Sequence, residues 1–306
     1  MLISSDERWR WAGCGAAAIA VAAAGYVAVQ RWWPHDSATE ITVDEVLDRY
    51  RDDMAGAPAG PPPRTALPTP ATTSALAVAP TSTAATAPTV AVTAAPVTTQ
   101  PPAPPALPDP GVYVYTTRGR EHVTALGGTE HVYPTQTLLT VTPTGCGVHL
   151  RWDLLAERYE EWNLCRGPDA IVLAPDGVQF HQFFGQSQTD LAVCRAAVPI
   201  APAPPVGTSI DRDCTLAGEA WHPVWTAQAQ GSAELDGASV ATSEFHVTID
   251  LDGDLPEHST QRWSFAPNGL PVAIEFDMES VNPSPVGDVT YTETITATLV
   301  ALEPLS

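Results

Sequence analysis

Residues 288–301, DVTYTETITATLVA, alternate between apolar and polar side chains, and this pattern constrains the fold more than any other in the chain. Threonines recur at every second position on one face. The other face carries Val289, Tyr291, Ile295, Ala297 and Leu299, together with Glu293. Alternation with β-branched residues predicts a half-buried antiparallel strand. At ~3.3 Å per residue the strand would run about 45 Å, which is typical of a large curved sheet or a barrel.

Two other segments show the same period of two. Residues 238–251 place Phe245, Val247 and Ile249 on one face. Residues 271–280 alternate apolar positions with acidic ones. Both patterns predict strands whose apolar faces turn toward a common core.

Turn signals and one mixed segment complete the fold prediction. The motifs APDG at 174–177 and APNG at 266–269 predict hairpin turns, because Pro presets the φ angle and Gly closes the turn. Residues 149–162 combine strand spacing with helical spacing and are interpreted as a strand followed by one short helix. We therefore expect residues 111–306 to form a mainly β domain: one antiparallel sheet, a half-barrel or a sandwich, with at most one or two short helices.

The N-terminal segment has the composition of a membrane helix. Residues 11–29 carry no charge and are long enough to cross a hydrocarbon core of ~30 Å. Trp9 and Trp11 stand at one end of the apolar stretch, and Trp32 and Trp33 stand at the other, as at the two interfaces of a bilayer. We expect a tail at 1–10 and a single transmembrane helix at 11–31. A cleaved signal peptide, with its site near the alanines at 22–24, is the alternative.

Two segments connect this helix to the β domain. Residues 37–53 predict a short helix, because Thr42 and Glu45 fit a capping box and the apolar positions form one stripe. Such a helix either docks on a partner or stays solvated. Residues 54–110 are rich in Pro, Ala and Thr and nearly uncharged, which predicts a disordered, semi-extended linker. We expect the linker to give the domain reach.

The cysteines indicate the compartment. Four of the five lie in the C-terminal domain, without the spacing of a zinc site. Four cysteines allow three ways of forming two disulfides, and we choose nearest neighbours, Cys146 with Cys165 and Cys194 with Cys214. Disulfides persist in oxidising compartments, so we expect a cytoplasmic N-terminus and a domain outside the cell membrane.

Charge and motifs exclude several functions. From residue 111 onward there are 8 Arg against 25 Asp and Glu, which opposes nucleic acid as a partner. Since all 14 basic residues are Arg, Schiff-base and P-loop lysines are excluded. We find no catalytic motif, and we predict neither a catalytic residue nor a cofactor.

A weak metal site is the only chemical constellation in the sequence. Glu121-His122-Val123 and Glu130-His131-Val132 flank Gly127-Gly128. A two-residue turn there would place His122 and His131 diagonally on one face, within ~7–8 Å. Solvated or hydrogen-bonded histidines are the default interpretation, and no third ligand can be assigned.

The apolar rows of the long strands could bind a ligand instead. They present a surface that must be closed over or occupied. The residues expected to face an apolar or amphiphilic ligand are Val289, Tyr291, Ile295, Leu299, Phe245, Val247 and Ile249. The alternative is that these rows pack together as an ordinary core.

The stretches GVYVYTTRGREHV, GGTEHVYP, NGLPVAIEF and VTYTETITATL resemble those of uncharacterised bacterial envelope ectodomains behind one anchor and a Thr/Pro tether. More distantly, the succession of long strands is similar to the half-barrel of bacterial lipoprotein carriers, although those carriers have a lipobox and no disulfides. The resemblance implies a membrane-tethered binding or envelope-organising module for a lipid or an envelope protein, and it assigns no site residues. The alternative is an envelope hydrolase or a metal-binding domain that uses His122 and His131.

Overall fold

A computed structural model describes residues 38–56 and 106–306, except residues 185, 217, 252–256 and 283–286. The predicted tail, the predicted membrane helix at 11–31 and most of the predicted linker lie outside these residues. Within the described part, no helix is both long enough and apolar enough to cross a membrane.

The described chain contains one α-helix, α1 (Val43–Gly56), and sixteen strands. A short 3-10 helix, Ala125–Gly127, separates β1 from β2. The strands are β1 Gly111–Val123, β2 Thr129–Val132, β3 Gln136–Pro143, β4 Gly147–Leu155, β5 Arg158–Arg166, β6 Ile171–Phe183, β7 Gln186–Cys194, β8 Val198–Ala201, β9 Ser209–Asp211, β10 Cys214–Leu216, β11 Glu219–Trp221, β12 Val224–Leu235, β13 Ala238–Leu251, β14 Glu257–Phe265, β15 Pro271–Asn282 and β16 Val289–Leu299.

All these strands belong to one antiparallel sheet. Its order is β11-β10-β7-β6-β5-β4-β3-β1-β16-β15-β14-β13-β12-β9, with β2 beside β1 and β8 beside β6. The prediction of a mainly β fold with one antiparallel sheet, curled as a half-barrel, is confirmed. Most neighbours in the sheet are also neighbours in sequence, so hairpins build two arms, β3–β7 and β12–β16, on either side of β1.

The curled sheet folds its inner faces onto each other. Trp162 on β5 meets Trp263 on β14 edge to face, with ring centroids 5.6 Å apart, and Trp225 on β12 lies 6.0 Å from Trp263. Phe245 and Leu150 are fully buried in the same cluster. Side chains from both arms therefore form one continuous core, which large aromatic contacts stabilise.

Helix α1 covers part of the outer face. The expected capping box is confirmed: the Thr42 backbone N–H donates to Glu45 Oε2 at 2.8 Å, and the Glu45 N–H donates to Thr42 Oγ1 at 3.3 Å. Val46 is fully buried and packs with Val112 and Leu138 of β1 and β3. The stripe read from the sequence is the face that packs on the sheet.

One of the two predicted turns is confirmed. Residues 266–269 connect β14 to β15, where the Gly269 N–H donates to Ala266 O at 2.8 Å. Gly269 has a φ of 83°, which an L side chain would rarely adopt. The other prediction is wrong, because residues 174–177 lie inside β6. There the pairing with β5 shifts register between Trp162 and Leu164, so the Pro and Gly belong to an irregularity within the strand.

The short helix predicted within residues 149–162 is also wrong. The segment forms the end of β4, a tight turn and the start of β5. Leu150, Trp152 and Leu154 are all buried, at a spacing of two. Burial at every second residue favours a strand over the helical spacing of Leu155, Tyr159 and Trp162.

Both predicted disulfides are confirmed. Cys146 bonds Cys165 across the end of the β4–β5 hairpin, and Cys194 bonds Cys214 between β7 and β10. The second bridge joins strands on either side of the Pro-rich segment at 199–205.

We expect the unfolded, unreduced full chain to titrate with one thiol, that of Cys14. Reduction should lower the free energy of unfolding by about 2–5 kcal/mol for each bridge lost. Thiol counting and urea unfolding measure the two effects. Three or more free thiols in the purified chain would contradict the assignment.

Candidate functional site

Buried charged groups meet between the two arms at one end of the half-barrel. On β1 the alternation turns Glu121 inward, and Glu293 lies directly opposite it on β16. His131 on β2 lies opposite Glu121 on its other side. All three side chains are at most 1 % exposed. Two acids on adjacent strands repel each other, so this arrangement requires compensating groups.

The other arm supplies the compensating groups. Arg158 on β5 and His181 on β6 are cross-strand partners and face the acids across the interior. Arg158 Nη2 donates to Glu293 Oε2 at 3.3 Å and to Glu160 Oε1 at 2.5 Å. His181 Nδ1 lies 3.6 Å from Glu121 Oε2. Arg158 of one arm thus neutralises Glu293 of the other, and His181 lies beside Glu121 of β1. We call Glu121, His131, Tyr133, Arg158, His181, Tyr291 and Glu293 the interior cluster.

Two tyrosines complete the hydrogen bonding of the acids. Tyr133 donates its hydroxyl to Glu293 Oε1 at 2.5 Å. The Tyr291 hydroxyl lies 2.9 Å from Glu121 Oε2 and 3.0 Å from Glu293 Oε2, so its single proton is shared between the two carboxylates. His131 Nδ1 lies 2.8 Å from Glu121 Oε1. Every carboxylate oxygen of the pair therefore has a partner, as buried charges require.

The cluster shifts the pKa values of its members. Burial raises the pKa of Glu121, but hydrogen bonds from His131 and His181 and the charge of Arg158 outweigh burial and hold it at about 2. Burial together with the two nearby carboxylates raises the pKa of Tyr291 well above 10. For Arg158, burial lowers the pKa, yet Glu293 and Glu160 raise it well above the usual value. Glu121 and Arg158 are therefore charged, and Tyr291 neutral, at physiological pH.

Aromatic rings surround the cluster on its open side. The Phe183 ring stacks on His131, with centroids 4.8 Å apart and planes 10° from parallel. Tyr291 meets His181 edge to face at 5.6 Å. The His181 side chain is 18 % exposed, whereas the side chains of Glu121 and Arg158 are 1 % exposed or less. Solvent thus reaches the cluster at His181, whereas Glu121 and Arg158 are shielded from it.

This geometry favours a structural role over acid–base chemistry. A general acid or base must reach a substrate within ~3 Å, and both carboxylates are occupied by groups of the protein. Within the described residues, no group of three or more His, Cys, Asp or Glu side chains is arranged to hold a metal ion.

The hairpin register predicted for His122 and His131 is wrong. The 3-10 helix lengthens the connection, so His122 pairs with Glu130 and His131 with Glu121. Because successive residues of a strand point to opposite faces, His131 turns inward and His122 outward. The two imidazoles therefore do not lie on one face.

The residues predicted to face an apolar ligand all lie on the inner face. Six of the seven are at most 7 % exposed: Val289, Ile295, Leu299, Phe245, Val247 and Ile249. Ile295, Leu299, Phe245 and Val247 pack in the common core. Tyr291 is partly exposed and belongs to the interior cluster.

The outer face carries a second feature, a polar groove of about 450 Å³. It crosses β1, β16, β15, β14 and β13, and one cross-strand row lines it. That row consists of Arg118, Thr296, Glu275, Arg262 and His246. Arg262 Nη1 donates to Glu275 Oε2 at 2.8 Å. The guanidinium of Arg118, by contrast, has no hydrogen-bond or ion-pair partner among the described residues. We call this feature the outer groove.

Sequence reasoning identified some members of these sites and missed others. Glu293 was visible as an acid within an apolar row, and the motifs around Glu121 and His131 were recognised. Arg158 and His181 were missed, because their contacts with β16 span more than a hundred residues and the contact of His181 with Glu121 on β1 spans 60. The available signal was Arg158, an arginine at a core-facing position of a strand. It could be recognised only if residues 149–162 were interpreted as two strands and the turn between them.

Comparison with known proteins identified no relative: neither family models, nor curated proteins, nor solved structures gave a match.

We expect Arg158→Leu to lower the free energy of unfolding by about 3–5 kcal/mol, because it leaves Glu293 buried without its cation. Arg158→Leu combined with Glu293→Leu should recover most of this loss. Arg195→Ala is the control, since that exposed pair with Asp213 contributes at most about 1 kcal/mol. Urea unfolding gives all four values. A loss below 1 kcal/mol for Arg158→Leu would contradict the role of the pair.

The depressed pKa of Glu121 sets an acid limit on stability. Its stabilisation is complete above the unfolded pKa of about 4.3 and is lost as the pH falls toward 2, by about 3 kcal/mol. Glu121→Gln should therefore reduce the slope of stability against pH in this window, whereas the exposed Glu234→Gln should not. Urea unfolding at intervals from pH 5 to pH 2 measures the slopes. Equal slopes for the wild type and Glu121→Gln would exclude the mechanism.

Proposed function

We propose that this chain is a membrane-anchored binding module of the cell envelope, with its N-terminus in the cytoplasm and its β domain outside. Two disulfides support an oxidising compartment. The uncharged stretch at 11–29 and its flanking tryptophans support the anchor. We propose further that the outer groove is the binding site.

The positive charge of two arginines in the outer groove is the main observation that supports this proposal. The domain is strongly acidic, yet Arg118 and Arg262 lie in one groove on the outer face. Arg118 is exposed, and no acid among the described residues neutralises it. An exposed arginine without an acidic partner, in an otherwise acidic domain, favours an anionic ligand, since guanidinium groups bind carboxylates by paired hydrogen bonds.

The remaining lining narrows the ligand class. Thr294, Thr296, Glu275 and Asp277 offer hydroxyl and carboxylate groups beside the cations. These groups pair with ligand hydroxyls. Since Arg118 and Arg262 stand three strands apart, about 14 Å, one sugar cannot contact both, whereas a chain of several sugars can. A carboxylated polysaccharide fits this arrangement.

An apolar or amphiphilic ligand on the inner face is the weaker alternative. Such a lipid would have to displace buried side chains of the common core, such as Phe245 and Ile295. The same applies to an envelope protein that inserts an apolar segment there. The outer groove needs no such rearrangement, and it is therefore the better candidate.

The ligand class is tested with tetragalacturonate as the acidic probe and maltotetraose as its uncharged control. In amide NMR spectra of the wild type, we expect tetragalacturonate to shift signals of β1 and β14–β16. Arg118→Ala should weaken binding about tenfold, because it removes one charge-assisted hydrogen bond. Arg195→Ala, which changes an exposed arginine of the other arm, should bind as the wild type does.

Two results would contradict the proposal. One is the absence of any titration with tetragalacturonate. The other is equal binding of the acidic probe by the wild type and Arg118→Ala.

A further inference from the structure

Helix α1 is attached to the domain that follows it in the chain. Its apolar stripe covers the outward side chains of β1 and β3: Val46 is fully buried, and Ile41, Val43, Leu47 and Tyr50 pack around it. Val112 and Leu138, on the sheet side of this contact, are buried although they point away from the core. The helix therefore replaces solvent over this part of the sheet.

Polar contacts fix the same segment at two further points. Arg49 of the helix forms an ion pair with Asp153, whose side chain is fully buried. Ahead of the helix, the Thr39 N–H donates to Glu157 Oε2 at 2.8 Å, and the Ala156 N–H donates to Thr39 O at 2.9 Å. Both contacts lie at the β4–β5 hairpin. The segment from Thr39 to Arg49 is thus held by apolar, ionic and backbone interactions.

The position of α1 in the chain determines which residues separate the N-terminal apolar stretch from the β domain. The Pro/Ala/Thr segment, Ala57–Ala103, begins after α1 and ends before β1. Both of its flanks are therefore bound to the same domain. Only residues 30–38 separate the N-terminal apolar stretch at 11–29 from the first bound residue, Thr39, and they span at most about 32 Å.

We propose that docked α1, and not the Pro/Ala/Thr segment, sets the distance between the N-terminal apolar stretch and the β domain. While α1 is docked, the residues before and after the Pro/Ala/Thr segment are held by the same domain, so the length of that segment contributes no reach. When α1 is released, the same segment joins the path and adds up to about 150 Å at ~3.1 Å per residue. The distance between the N-terminal apolar stretch and the β domain is therefore short when α1 is docked and long when α1 is released.

The contact is limited in extent. The apolar packing of this fourteen-residue helix is confined to a single stripe, to which the Arg49–Asp153 ion pair and the hydrogen bonds of Thr39 are added. A helix this short is marginal in water, so release of α1 also favours its unfolding. Any partner that binds the freed helix or the uncovered Val112 and Leu138 would shift the equilibrium toward the long state.

Distances between two spin labels in the full chain test this proposal. The labels are placed at Ala38→Cys and Thr116→Cys in a Cys14→Ser background, so that both disulfides remain and Cys14 is not labelled. Both positions are exposed. Pulsed electron paramagnetic resonance then reports whether the start of the docked segment keeps a fixed distance from β1.

We expect the wild type to give one narrow distance distribution. Val46→Asp, which places a charge in the apolar contact, should broaden the distribution and shift it to longer distances. Arg49→Ala should shift part of the population in the same direction. Arg51→Ala is the matched control, since Arg51 is exposed and pairs only with Asp48 of the same helix. Circular dichroism checks that each variant keeps its β domain.

A broad distribution in the wild type, or a narrow one in Val46→Asp, would overturn the proposal. The test requires neither a glycan nor a membrane. Its failure would therefore leave the proposed function standing, and failure of the glycan titration would leave this proposal standing.

Discussion

The ion pair between Arg158 and Glu293 is the constraint on which the rest of the structure depends. It joins strands 135 residues apart in sequence, across the interior of the sheet. Neither charge is stable in a buried position alone, so each arm requires the other. Their pairing favours a sheet that closes on itself, and closure fills the inner face with side chains of both arms. The binding site that we propose therefore lies on the outer face.

The outer face has two regions, which are formed by different residues. Over β1 and β3 near the start of the domain, Val112 and Leu138 receive α1. From Arg118 on β1 to His246 on β13, the same face is polar and forms the outer groove. The α1 contact and the outer groove are thus separate parts of one surface, and a ligand bound in the groove as proposed need not compete with the helix.

The alternation of side chains predicted the mainly β fold and three of its long strands, because burial on one face imposes a period of two. It predicted Ala238–Leu251 to the residue and the strand at 288–301 to within two residues at either end. Local sequence patterns gave wrong predictions where the same pattern occurs in two kinds of structure. Pro and Gly at 174–177 fit a turn or a strand irregularity, and Gly127-Gly128 fits a tight turn or the end of a 3-10 helix. The contacts of Arg158 and the docking of α1 join distant segments, and no local pattern specifies them.

Native-state hydrogen exchange tests most directly whether the interior cluster holds the two arms together. The amides to compare are those of β5 and β6 in one arm and β15 and β16 in the other. If the cluster couples the arms, their slowest amides exchange with one common free energy of opening, equal to that of global unfolding. In Arg158→Leu the β5 and β6 amides should then exchange at a lower free energy than those of β15 and β16. Separate opening energies for the two arms in the wild type would contradict the account.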